Sequence, residues 1–144
     1  MRKKLPILFL IASVSLCAQD WSPTFSEAVM VAKEKDKPII LVFSGSDWCA
    51  PCIKLDKNIW GSQEFKNYAA AHYVLYKADF PRKKRNRLNE MQATQNRQLA
   101  EKYNPDGFFP LVVVLNKNEE VLGVTAYKKV TPIEYVAHLN SFLK

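Results

Sequence analysis

Apolar residues follow two different rhythms along this chain. After Thr24, the residues Phe25, Ala28, Val29 and Ala32 fall on one face at helical spacing, and Thr24-Phe25-Ser26-Glu27 fits a capping box. Pro38 cannot continue that helix and pushes Lys37 toward extended geometry, so the helix is expected to end near Asp36. Ile39 to Phe43 is then an unbroken apolar and β-branched run, the pattern of a strand covered on both faces.

The same two signals alternate to the C-terminus. Ser44-Gly45-Ser46-Asp47 reads as a loop, followed by a helix from about Cys49 to Asn58, with Pro51 in its first turn where a missing N–H costs nothing. Gln63 to Ala71 reads as a helix capped by Ser62, Tyr73 to Asp79 as a strand, and Asn89 to Tyr103 as a helix stopped by Asn104-Pro105-Asp106-Gly107. Leu111 to Leu115 and Glu120 to Ala126 are strands joined by a turn at Asn116-Lys117-Asn118-Glu119. Thr131-Pro132-Ile133-Glu134 caps a last helix through Phe142. Alternating strands and helices predict parallel pairing with helices on both faces, and the short turn near Asn118 predicts one antiparallel hairpin. The expected product is a single three-layer α/β domain with a mixed central sheet.

The first nineteen residues fall outside this scheme. Arg2, Lys3 and Lys4 precede an apolar run from Leu5 to Leu16, the order and length of a signal peptide and too short to span a bilayer. The expected domain organisation is a removed leader over 1–19, with cleavage near Ala18 or Gln19, and a folded domain over 20–144. Exported, periplasmic or secreted, is the location this implies. Lipid attachment at Cys17 is the alternative, although Leu16 is larger than the residue that usually precedes a lipidated cysteine. Removing the leader's cations, Arg2, Lys3 and Lys4, lowers the formal net charge from +7 to +4. Much of the remainder sits in Arg82-Lys83-Lys84-Arg85-Asn86-Arg87. No aromatic residue interleaves that run, so it reads as a solvated loop and not as a nucleic-acid surface.

A domain of this length fills a core without disulfide staples, so the three cysteines call for a chemical explanation. Cys49 and Cys52 stand two residues apart after a buried strand and at the start of a helix, where one turn brings their sulfurs close enough to bond or to part. Cys49 occupies the helix N-terminus, whose unpaired N–H groups and dipole favour a thiolate. It is expected to attack substrate, and Cys52, one turn on, to resolve the mixed disulfide.

Trp48-Cys49-Ala50-Pro51-Cys52, followed by Phe109-Pro110 and a strand, resembles the thioredoxin superfamily over roughly residues 21–144. The resemblance implies a thioredoxin fold and thiol–disulfide exchange with no cofactor. It implies disulfide-containing protein substrates and an upstream electron donor such as a membrane-bound reductase. It implies a cis peptide at Pro110, which with Trp48 and Phe109 would shape the substrate groove. Members of the family carry an aspartate six residues before the first cysteine to move protons at the second; that offset here holds Phe43. Asp56, four residues after Cys52, stands where the periplasmic domains of membrane-bound disulfide reductases place a carboxylate, so it is either a substitute proton relay or a surface charge. Asp47 is read as an ordinary loop residue. Ala50-Pro51 lacks the histidine of oxidants and resembles the Gly-Pro of reducing thioredoxins, whose potentials lie near about −270 mV.

Other readings of the pair stay open. A plain structural disulfide would close a loop too small to stabilise the fold much. Zinc would need Cys49, Cys52, His72 and His138 together, and the histidines lack ligand spacing. A binding module that has lost turnover would use Trp48, Phe108 and Phe109 as an apolar surface. For the redox reading, limiting alkylation of the reduced protein at neutral pH is expected to label Cys49 first. Mass spectrometry of the singly labelled species checks this, and label mainly on Cys52 would reverse the roles.

Overall fold

Helix starts in this computed structural model coincide with the capping residues. The structure describes residues 21–144; the leader, the cleavage positions near Ala18 and Gln19, and Cys17 lie outside the described residues. Helix α1 (Phe25–Lys35) begins where Thr24 Oγ1 accepts from Glu27 N–H, one half of the expected box, and ends at Asp36. Ser62 caps α3 (Gln63–His72) and Asn89 caps α4 (Glu90–Tyr103) through their side-chain oxygens. At α5 (Pro132–Asn140) both halves of the Thr131–Glu134 box form.

Four strands, β1 (Ile39–Ser44), β2 (Val74–Asp79), β3 (Leu111–Leu115) and β4 (Val121–Thr125), stand in the order β2-β1-β3-β4. Strand alternation divides β1 between two cores. Ile39, Leu41 and Phe43 pack with Phe25, Ala28, Tyr76 and Leu99 beneath α1 and α4. Ile40 and Val42 pack with Leu55, Ile59, Phe65, Tyr135 and Leu139 on the other face. All six residues of β1 are buried, and each large side chain so buried contributes about 1.5–3 kcal/mol. This is the mixed-sheet, three-layer thioredoxin fold.

Two expectations need correction. Among the four described strands, only β1 and β2 pair in parallel; β3 runs antiparallel to β1 although a helix precedes it. Pairing of Ser44 with Asp79 and of Phe43 with Leu111 puts the exit of β2 and the entry of β3 at one end of the sheet. The segments flanking α4 thus return the chain to the end it left, where a parallel crossover would carry it to the other.

The second correction concerns the helix after Cys49, which changes its winding. Helix α2 (Ala50–Leu55) passes into a π-helical turn, Asp56–Trp60, closed by Gly61 N–H donating to Asp56 O at 2.7 Å. A Cβ at Gly61 would stand 2.9 Å from that carbonyl, so glycine permits the closure. The wider turn seats Ile59 and Trp60 in the core, with Trp60 edge-on to Phe65 at 4.6 Å and to Tyr135 at 5.5 Å.

A buried polar link ties α4 to the end of β2. Tyr76 Oη donates to Asn96 Oδ1 at 2.7 Å, and Asn96 Nδ2 donates to Asp79 O at 3.1 Å. Asn96→Ala strands these partners and is expected to cost about 1–3 kcal/mol of stability. Urea unfolding with an unchanged slope and a lowered midpoint is the expected result.

Candidate active site

The site grows from the end of β1. Gly45 turns the chain so closely that a Cβ there would lie 2.3 Å from the Trp48 indole. Its carbonyl accepts from Trp48 N–H at 3.2 Å and Cys49 N–H at 2.9 Å, its own N–H donates to Cys52 Sγ at 3.5 Å, and a glycine is what fits among these contacts. Cys49 is the N-cap of α2, and Cys52 N–H donates to Cys49 Sγ at 3.3 Å. The two cysteines form a disulfide, with Cα atoms 5.2 Å apart and exposures of 5% and 2%. A sulfur that already accepts a backbone N–H at a helix start is one whose thiolate is favoured.

Phe109-Pro110 is a cis peptide at the entry to β3. Pro51, Phe109, Pro110, Leu111 and Tyr127 line a shallow groove of about 510 Å³ beside the cysteines. Trp48 packs edge-on against Phe109 with ring centres 5.4 Å apart, and Phe109 in turn against Phe80 at 5.5 Å. Phe108 is 62% exposed and stands outside this stack. Asn104, buried and not singled out above, donates to Phe108 O at 2.8 Å and accepts from Phe108 N–H at 2.9 Å, which shapes the loop before Pro110.

Two aspartates join the active-site loop to the end of β2 and the segment that follows it. Ser46 donates to Asp79 through both its N–H, at 2.9 Å, and its hydroxyl, at 2.5 Å. Asp47 accepts from Arg82 N–H at 2.9 Å, Lys83 N–H at 3.0 Å and Asn86 Nδ2 at 2.9 Å. Trp48 Nε1 donates to Phe80 O at 2.7 Å, and the Arg82 guanidinium lies 3.7 Å above the Trp48 ring. Asp47 is therefore a fastener and not an ordinary loop residue, and the basic turn is held against the site and not merely solvated. An acidic residue two before the cysteine, with a basic turn to come, is the only sequence signal that pointed here.

Phe43 proves uninformative about proton handling. It faces α1 and α4, whereas the face of β1 toward α2 carries Ile40 and Val42. Counting six residues back from Cys49 lands on the wrong side of the strand. On the side facing α2, Lys77 pairs in register with Val42 and donates to Asp56 Oδ1 at 2.5 Å. Asp56 thus lies at the junction of α2 and the π turn, held by a half-buried ion pair to β2. The histidines lie elsewhere: His72 stacks on Tyr68 at 4.2 Å, and His138 contacts Thr125 Oγ1 at 2.9 Å. Among the described residues, no three His, Cys, Asp or Glu side chains gather as a metal site.

A disulfide at a helix start, preceded by a tryptophan that packs on the residue before a cis-proline, can accept two electrons from a dithiol or, once reduced, deliver them to a disulfide. Fold and site together define a thioredoxin-fold thiol–disulfide oxidoreductase. Residues 20–117 match the family described as thioredoxin-like, and the chain belongs to that family. It is 36% identical over 121 residues to the disulfide bond reductase DsbH of Chlamydia pneumoniae, an alignment covering 84% of this chain and 71% of that protein. A solved structure of DsbH oxidoreductase superposes with TM-score 0.81 at 31% identity, over 99% of this chain and 94% of the other. The thioredoxin-related protein DsbJ of the same organism is 25% identical over 74% of this chain, which spans 30% of its length. The C-terminal domain of Neisseria meningitidis DsbD shares the fold, with TM-score 0.56 at 16% identity over 81% of this chain and 90% of that domain.

Its hydrogen bonds hold the Asp47 carboxyl down at about 2, below its ordinary 3.8, with the bond from the Arg82 backbone the largest cause. A lowered folded-state value means the docked turn is stabilised above about 3.8 and loses that support as pH falls toward 2. The amide resonances of Arg82 and Lys83 are expected to titrate in that window. In Asp47→Ala the acid-range titration at these two amides should vanish, and its persistence would assign it to another carboxylate.

Proposed function

We propose that this protein is a reductase of protein disulfides outside the cytoplasm. The observation that carries the direction is the uncharged Ala50-Pro51 pair between the cysteines, which gives the Cys49 thiolate none of the extra cationic stabilisation that makes an oxidant. The reductase name borne by the Chlamydia relative points the same way. Export rests on the charged and apolar order of residues 1–19. No helix among the described residues is long and apolar enough to cross a membrane.

In the reducing direction, the Cys49 thiolate attacks one sulfur of a substrate disulfide and the other sulfur leaves as a thiolate. Cys52 then loses its proton and attacks Cys49 Sγ, releasing the second substrate thiol and closing the disulfide seen here. Two electrons have passed to substrate, so a dithiol donor must recharge the pair. Trp48, Phe109 and Pro110 frame the groove in which substrate backbone docks. Asp56 serves Cys52 as proton acceptor, one helical turn beyond it, with Lys77 holding the carboxylate in place.

Insulin reduction driven by a dithiol, lost in Cys49→Ser, is the direct test. A Cys49–Cys52 potential far above the thioredoxin range of about −270 mV would make the protein an oxidant or isomerase instead. Asp56→Asn is expected to slow resolution of a mixed disulfide preformed at Cys49 by about 10- to 10²-fold, with the first attack by Cys49 nearly unchanged. Stopped-flow resolution rates across pH decide it. Equal rates and an unchanged profile would leave Asp56 as a partner of Lys77 alone.

A further inference from the structure

We propose that the basic turn from Arg82 to Arg87 selects protein segments that carry carboxylates beside the reacting cysteines. The inference rests on the exchange reaction proposed above and adds which substrates that site prefers. All six residues of the turn are exposed, yet its place is set by bonds to the residues just before Cys49. Asp47 holds the backbone N–H groups of Arg82 and Lys83 and the amide of Asn86, and Arg82 covers the face of Trp48. A solvated charge run would have no such tether.

Among the described residues, the cations of this turn have no ionic partners. The ion pairs among the described residues join Lys77 to Asp56, Arg97 to Glu90 and Lys117 to Asp36, and none involves residues 82–87. The carboxylate nearest the turn, Asp47, directs its oxygens at backbone and amide donors, so it offsets one charge and leaves the rest facing solvent. The groove itself is lined mainly by Pro51, Phe108, Phe109, Pro110 and Tyr127, with no charged side chain. The turn reaches this site through Arg82, which covers the Trp48 ring that packs on Phe109 of the groove. Each exposed cation–carboxylate pair is worth a factor of about 1.5 to 5, and several acting together steer encounter as well. A preference of about tenfold that fades with salt is the scale to expect.

Two disulfide-linked peptides, identical except that Glu and Asp flank the cysteines in one and Gln and Asn in the other, test this. With the reduced protein at low salt, kcat/KM for the acidic peptide is expected to exceed that for the neutral one about tenfold, and the ratio to fall toward one at high salt. Lys84→Glu/Arg85→Glu, which touches neither the Asp47 bonds nor Trp48, should invert the ratio, and Lys84→Gln/Arg85→Gln should lie between. Equal values in the wild type overturn the proposal, as does a preference that survives charge reversal. If neither peptide is reduced, the reductase reading fails by itself, and the same ratio is then read from oxidation of the two dithiol peptides by the disulfide form. Vesicles of phosphatidylglycerol and phosphatidylcholine supply the rival surface. Binding to them that charge reversal abolishes, with no preference between the peptides, would assign the turn to a membrane and overturn the proposal.

Discussion

Burial of β1 on both faces is the constraint from which the redox end of the molecule follows. Ile39, Leu41 and Phe43 fill one core, Ile40 and Val42 the other, and both neighbours in the sheet are hydrogen-bonded to this strand. A strand held in this way has no freedom to slip, because a shift of one residue would exchange its two faces. Its last residue therefore delivers Gly45 to one place, and Gly45 receives Trp48, Cys49 and Cys52. Precision at the sulfurs is inherited from apolar packing several residues away.

The loop that carries the cysteines is secured by polar contacts of a different kind. Asp79 accepts two bonds from Ser46, Asp47 accepts one each from Arg82, Lys83 and Asn86, and Trp48 adds an indole bond and a cation above its face. Asn96 connects the same corner to α4 through Asp79 O. These groups are partly open to water, so each contributes less than a buried apolar side chain. Together they hold the basic turn against Trp48, next to the redox pair.

Proton handling at Cys52 shows how a count along the sequence misleads. Six residues before Cys49 is Phe43, and alternation sends that side chain into the layer away from α2. The face that does meet α2 carries Val42 on β1 and Lys77 on β2. A carboxylate reaches this region from the helix, as Asp56, one turn beyond Cys52 and paired with Lys77.

By itself the sequence determined the elements, their order and the identity of the redox pair. These depend on local signals: caps at Thr24, Ser62, Asn89 and Thr131, the unbroken run at β1, and two cysteines one helical turn apart. It also carried the family resemblance through Trp48 to Cys52 and Phe109-Pro110. What only the tertiary structure decided was everything that depends on which segments meet. The antiparallel entry of β3, the role of Asp47 and the place of the basic turn beside Trp48 all arise from contacts between residues far apart in the chain. Such contacts leave no periodicity in the sequence, because a hydrogen bond from Arg82 N–H to Asp47 needs no particular residue at position 82 and only a carboxylate at position 47.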